Sequence, residues 1–375
     1  MYPVNDPKYS GPVIKKGQPD DTYKFLPLPA PTGNYPYRLN IRKVLPGISS
    51  DSFSFHMLGD SGSLKDSSFL TKVVQEMVDQ YAHPDASGGT LGFLYHLGDV
   101  VYNHGEAIEY QRQFFGPFTS YPAPVFAIPG NHDSDVNTDS RVKYKSLEPF
   151  KTVFCDTHPR MVPFSGNAAR KSMIQPNIYW TLQTPLANII GLHSNVPKYG
   201  VITPAQREWF VEELKAAQAE RPGKMLIVCI HHAPYSADIN HGSSMPMIRF
   251  FEEVFLETGI HPDIVFSGHV HNYQRFHKKY EDGKIVPFVV AGSGGYDELH
   301  PVASLSDRRF TGLNNLFEEV VLERYCDDRH GFLRIDLARN GTGVALTGKY
   351  YTIVPATEQK PDLLVQLTDE FEVHT

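Results

Sequence analysis

Five short segments of this 375-residue chain carry side chains able to bind cations or move protons. They are Leu-Gly-Asp-Ser-Gly with Asp60, Gly-Asp-Val-Val-Tyr-Asn with Asp99 and Tyr102, Gly-Asn-His-Asp with Asn131 and His132, Val-Cys-Ile-His-His with His231, and Gly-His-Val-His with His269 and His271. Together they supply carboxylates, an amide oxygen, a phenol and several imidazoles. That donor set suits two hard-to-borderline cations held close together, and phenolate and carboxylate oxygens favour ferric iron at one of them. Taken singly, the segments say little. Gly-Asp at a strand end is most often a turn, Asn131-His132-Asp133 after Pro129-Gly130 reads as an ordinary Asx turn, and Tyr102 alone reads as packing. The His269-x-His271 pair says more, because an extended segment sends alternate side chains the same way. What independent turns would rarely produce is all five, in this order, each closing a short apolar run.

Those runs belong to a larger pattern. From Phe53 onward, short apolar strands alternate with amphipathic helices. Phe53–Leu58 leads to a helix near 68–81 whose Phe69, Leu70, Val73, Val74, Met77, Val78 and Tyr81 mark one face. Leu91–Leu97 precedes a helix near 106–115, and Val125–Ile128 runs into the Asn131 segment. Ile178–Thr184 and Asn188–His193 follow, then a helix that Thr203 caps and Pro204 opens, with Trp209, Phe210, Leu214 and Ala217 facing inward. Met225–Ile230, a helix near 247–258, Ile264–Phe266 and Pro287–Ala291 continue the alternation, and strands near 317–323, 331–337 and 344–351 add β structure. The pattern predicts an α/β fold whose sheets are covered by helices and whose strand ends gather polar residues on one rim. Residues 1–50, rich in Pro, Gly and Tyr, read as an extended segment wrapping a core or as a loose arm.

Composition excludes several classes. The hydrophobic share of 41% and charged share of 21% are those of a globular chain. A net charge of −7 argues against a dedicated nucleic-acid binder. No apolar stretch is long enough to span a bilayer and no signal peptide is evident, so the chain reads as cytoplasmic as written, or as exported with its signal removed. Cys155, Cys229 and Cys326, odd in number and widely separated, spell out no disulfide framework and no CxxC metal site, with one pair left able to form. Cys229, within Met225–Ile230, reads as a small buried hydrophobe.

On its five motifs the sequence resembles the calcineurin-like metallophosphoesterases, and among them the purple acid phosphatases. Two positions carry the narrower resemblance. Most of the superfamily reads Asp-x-His in the first motif, whereas Asp60-Ser61-Gly62 lacks the His; Tyr102 in the second motif matches the purple enzymes, where a phenolate stands in for that imidazole. The resemblance implies two packed mixed β-sheets flanked by helices, with the metal site at strand ends, and a catalytic domain over 51–355 between an N-terminal extension, 1–50, and a C-terminal tail, 356–375. It implies Fe(III) held by Asp60, Asp99, Tyr102 and His271, and a second cation, Fe(II), Zn(II) or Mn(II), held by Asp99, Asn131, His231 and His269, with Asp99 bridging. His231 fits the family register, and His232 is the alternative if the strand ends one residue later.

The activity so implied is hydrolysis of small phosphate monoesters by a metal-activated hydroxide, with His132 steadying the phosphoryl group or protonating the leaving oxygen. His241 matches a histidine lining the family's pocket, and equally reads as an exposed loop residue. His193, at another strand end, is a candidate substrate contact beside a structural reading. A phosphodiesterase using the same centre is the alternative, and a metal- or phosphate-binding protein without turnover a third. No partner beyond the substrate and no oligomeric state is implied. Gly292–Gly295 lacks the Lys-Ser/Thr of a nucleotide P-loop and reads as a tight turn bordering the site. Residues 1–50 are too short for the β-sandwich domain that precedes the plant enzymes' catalytic domain.

Overall fold

Period-two runs of apolar residues put one face of each strand into a shared interior. In the computed structural model, which describes residues 6–83, 89–354 and 364–375, those faces close on each other from two sheets. The six-stranded sheet runs, edge to edge, Leu364–His374, Gly343–Val354, Gly331–Asn340, Ser52–Leu58, Leu91–His96 and Val125–Ala127. Its last three strands are mutually parallel and the others antiparallel. The eight-stranded sheet runs Val320–Cys326, Tyr273–Lys279, Ile285–Ala291, Ile264–Ser267, Met225–Ile230, Ala187–Leu192, Trp180–Gln183 and Arg38–Asn40, with its four middle strands parallel. Phe55, Met57, Phe93, Tyr95 and Phe126 from the first sheet meet Trp180, Leu182, Ile189, Ile227, Cys229 and Phe266 from the second in one core. Phe55 and Phe93 stack there at 4.7 Å.

Helices cover both outer faces. Ser68–Ala82 packs Leu70, Val73, Val74 and Met77 on Leu58, Leu94 and Val125. Pro204–Gln218 and Met245–Thr258 cover Ile190, Val228, Ile230 and Val265 on the other side. The result is the expected α/β sandwich, two mixed sheets between layers of helix. Thr203 does cap its helix, accepting a hydrogen bond from the Gln206 amide at 3.2 Å, and Trp209, Phe210, Leu214 and Ala217 are its buried face. Cys229 is buried.

Several readings change. Phe69 lies off the buried stripe, 37% exposed and stacked on His330 at 4.1 Å. The helix expected near 106–115 is three short irregular turns, Ala107–Glu109, Gln111–Phe115 and Pro117–Ser120, the last opened by Pro117, which has no backbone N–H to continue the turn before it. The N-terminal residues wrap the core: Arg38–Asn40 pairs with Trp180–Gln183, Ile14–Lys15 with Phe310–Thr311, and Val13 is fully buried. Leu364–His374, within the stretch expected as a tail, pairs with Gly343–Val354 and packs Phe371 and Val373 into the core. Among the described residues no helix is long and apolar enough to cross a membrane.

Candidate metal centre

Five of the parallel strands deliver the five motifs. Ser52–Leu58, Leu91–His96 and Val125–Ala127 are neighbours in one sheet, and Met225–Ile230 and Ile264–Ser267 are neighbours in the other. Their carboxyl ends therefore open on the same edge of the sandwich. Backbone bonds stitch the loops together across it: the Asp60 amide donates to Gly98 O at 2.9 Å, and the His269 amide donates to the Asp60 carboxylate at 2.8 Å, joining the sheets. Asp60, Asp99 and His269 all adopt left-handed backbone, at φ 56°, 55° and 67°. Such residues cost about 1–3 kcal/mol each and gather where a site over-determines the backbone. Gly130 leaves the room these turns need, since a Cβ there would lie 2.1 Å from Asp99 Oδ1.

The donors form two groups. In the first, the Tyr102 hydroxyl lies 3.3 Å from Asp60 Oδ1 and 3.1 Å from His271 Nε2, and His271 Nε2 is 3.7 Å from Asp60 Oδ1. In the second, Asn131 Oδ1 lies 3.1 Å from His231 Nε2 and 2.9 Å from His269 Nδ1, while Asp99 Oδ2 is 3.3 Å from His231 Nε2. Asp99 stands between the groups, its charge bearing on the Tyr102 phenol as well as on His231.

This arrangement fits cations. Donors bound to one cation at about 2.0–2.2 Å lie roughly 3 Å from each other, the spacing of both groups. His231 Nδ1 sits 2.9 Å from Leu97 O, so its N–H can be held by a carbonyl and Nε2 presented as a lone pair, the usual second-layer support of a ligating imidazole. The electrostatics agree. Burial drives the Asp60 carboxyl well above its ordinary range, with Asp99's charge adding to the rise. Burial also works to raise Asp99, but the neighbouring His231 and His132 outweigh it and hold Asp99 well below. Burial opposes protonation of His231, yet Asp99's charge lifts it to about 9. Burial pushes the Tyr102 phenol up, as do Asp99 and Asp60, and it leaves His269 and His271 neutral. Two carboxylates and a phenol this close cannot all ionise on their own; added positive charge resolves the conflict.

The sequence profile described as Calcineurin-like phosphoesterase matches residues 59–273, more than half the chain and all five motifs. The chain belongs to that family. The chain is similar to Fe(3+)-Zn(2+) purple acid phosphatase 12 of Arabidopsis thaliana, at 27% identity over 60% of this chain and 43% of that one. Phosphoenolpyruvate phosphatase of Allium cepa is 27% identical over 66% of this chain and 46% of its own length. The chain thus spans less than half the length of the curated relatives it matches. By fold it resembles GAP50 of Plasmodium, with a TM-score of 0.52 and 13% identity over 85% of this chain and 89% of that one. PhoD superposes with a TM-score of 0.50 and 11% identity over 92% and 71%.

The remaining sequence candidates divide. His132 stands at the mouth beside Tyr102, their rings 4.3 Å apart, with its amide on Asp99 Oδ1 at 2.9 Å. His241 packs on His269 at 4.2 Å, which places it on the wall of the centre. His232 packs on the His269 ring at 4.2 Å but engages Ser194 Oγ through Nδ1, whereas His231 Nε2 meets the Asn131 oxygen, so His231 is the residue in the donor group. His193 is buried, burial holds its imidazole down at about 3, and it stands outside both donor groups, its amide donating to Gln206 at 2.8 Å. Gly292 does border the site, where a Cβ would come within 2.8 Å of Asp60 Oδ2.

Sequence reasoning passed over Asp133, which is buried and accepts hydrogen bonds from the Val100, Val101 and Gly130 amides at 3.1, 3.1 and 2.9 Å. It clasps the Asp99 and Asn131 loops together, and burial, then Asp99's charge, lifts its carboxyl to about 7. Its place after His132 was the available signal. Gln113 does the same for the Asp60 loop, accepting from the Ser63 and Tyr102 amides at 2.9 and 2.8 Å. No spacing rule pointed to it.

Proposed function

We propose that the chain hydrolyses phosphate monoesters at this centre, with Asp60, Tyr102 and His271 holding Fe(III), Asn131, His231 and His269 holding Fe(II), Zn(II) or Mn(II), and Asp99 shared. The observation that carries the reading is the division of seven donors into two groups at ligand spacing around Asp99. The relative named Fe(3+)-Zn(2+) purple acid phosphatase supports the metal pair. Cations bound here would neutralise phosphoryl oxygens and activate water as the nucleophile. The protein's own part is placement. His132 can donate Nδ1–H to the Asn103 carbonyl at 2.7 Å, which fixes the ring, and as an imidazolium it would carry on Nε2 the proton passed to the departing oxygen.

The test sets p-nitrophenyl phosphate against bis(p-nitrophenyl) phosphate on protein of measured metal content. Preference for the monoester, falling about 100-fold or more in Asn131→Ala, is expected. Preference for the diester would move the function to a phosphodiesterase at the same centre.

A further inference from the structure

The pocket wall holds a second constellation that the seven donors do not use. Asp238, His241 and His300 each offer an atom such that all three lie within 4.8 Å of one another, as atoms of Asp99, His231 and His269 also do. Three of their atoms, Asp238 Oδ2, His241 Nδ1 and His300 Nδ1, are buried without a well-formed hydrogen bond among the described residues. Leaving such groups unsatisfied costs about 1–3 kcal/mol each, so their convergence calls for an explanation.

The side chains are held rigidly. Asp238 Oδ1 accepts the Asn240 and His241 amides, both at 2.7 Å, which leaves Oδ2 free and fixes its direction. Asp238 bridges to Val302 across an isolated antiparallel pair, bringing the segment that carries His300 alongside. His300 is pinned at both backbone ends, its amide on His271 O at 3.0 Å and its carbonyl accepting from Asn272 at 2.7 Å. An ion pair is an incomplete account. Charge-assisted N–H···O contacts close to about 2.7–2.9 Å, whereas Asp238 Oδ2 and His300 Nδ1 stand 3.3 Å apart, and His241 Nδ1 is left over either way. Donors that share a cation are spaced in this manner. The supporting layer is present too. The Asn240 amide lies 3.3 Å from His300 Nε2, and with its oxygen turned inward it would accept that N–H, leaving Nδ1 as the lone pair.

We propose that Asp238, His241 and His300 form a third cation site for a borderline divalent ion of the Zn(II) type, on the flank of the main centre. Two imidazoles and one carboxylate with an open fourth position suit that ion. The site abuts both rings of the Gly-His-Val-His segment, His241 on His269 at 4.2 Å and His300 on His271 at 4.5 Å. It uses none of the seven donors of the main centre, so it stands or falls separately from the proposed hydrolysis.

The experiment is anomalous diffraction at the zinc edge from crystals of the full chain equilibrated with Zn(II), together with a count of Zn(II) equivalents in solution. A peak bonded to Asp238, His241 and His300 is expected, with one equivalent lost in His300→Ala while main-centre peaks persist. Asp238→Asn keeps the two amide bonds to Oδ1 and so guards against misfolding; there the third equivalent should bind about tenfold more weakly or worse. Absence of a peak at the three residues, or an unchanged count and affinity in both variants, overturns the proposal. Absence of peaks at Asp99, Asn131 and Asp60 would instead count against the main centre alone.

Discussion

At the scale of single residues, the site is a contest between burial and charge that cations settle. Tyr102 is the sharpest probe of it, because its phenol is held neutral by burial and by Asp99 and Asp60 until positive charge arrives. Iron-loaded, oxidised protein should therefore show a visible phenolate-to-iron band that Tyr102→Phe abolishes; a colourless iron-loaded wild type would refute the phenolate assignment. His132 is predicted to act after binding, so His132→Ala should lower kcat by about 10²–10⁴ with metal content unchanged. An unaltered kcat would remove it from the reaction. The cluster of donor residues was legible in the sequence because carboxylates, an amide, a phenol and imidazoles each follow an apolar run. Asp133 and Gln113 were not, since their work is to accept backbone hydrogen bonds, which any polar side chain brought close enough can do. His300 was missed for another reason: it lies 29 residues beyond His271 and meets it only through the fold.

At the scale of elements, strand-and-helix alternation told what covers what. Helix Ser68–Ala82, capped helix Pro204–Gln218 and strand Met225–Ile230 stand where their apolar periods predict. Strand Tyr273–Lys279 was invisible, because Gln274, Arg275, His277, Lys278 and Lys279 break any apolar alternation. Its polar residues do structural work across the sandwich. Arg275 grips Asp369 through Nε at 2.7 Å and a second guanidinium nitrogen at 3.1 Å, and Tyr273 donates to the same carboxylate at 2.7 Å. Asp369 thereby ties the last strand of the six-stranded sheet to the other sheet. With Asp369 gone, a nearly buried guanidinium loses its partner, so Asp369→Ala should cost about 3–5 kcal/mol, read as a lowered urea midpoint. A change below 1 kcal/mol would show that this final strand is held by its backbone ladder and Phe371 alone.

For the molecule as a whole, two packed sheets serve to bring the carboxyl ends of five strands to one edge, where neither sheet alone could assemble seven donors. The α/β class and the rim of polar strand ends were readable from the order of elements. For residues 6–50 the sequence left a wrapping segment and a loose arm both open, because extended Pro-rich chain has no period, and their place is fixed by contacts such as Val13 with Ser236 and Ser243. The central claim is that the assembled edge works as a two-cation centre. It is tested most directly by stripping the protein with a chelator and following p-nitrophenyl phosphate turnover as Fe(III) and Zn(II) are restored. Turnover is predicted to be absent in the stripped protein, to return with both cations, and to stay absent in Asn131→Ala. Full turnover without metal would contradict the account.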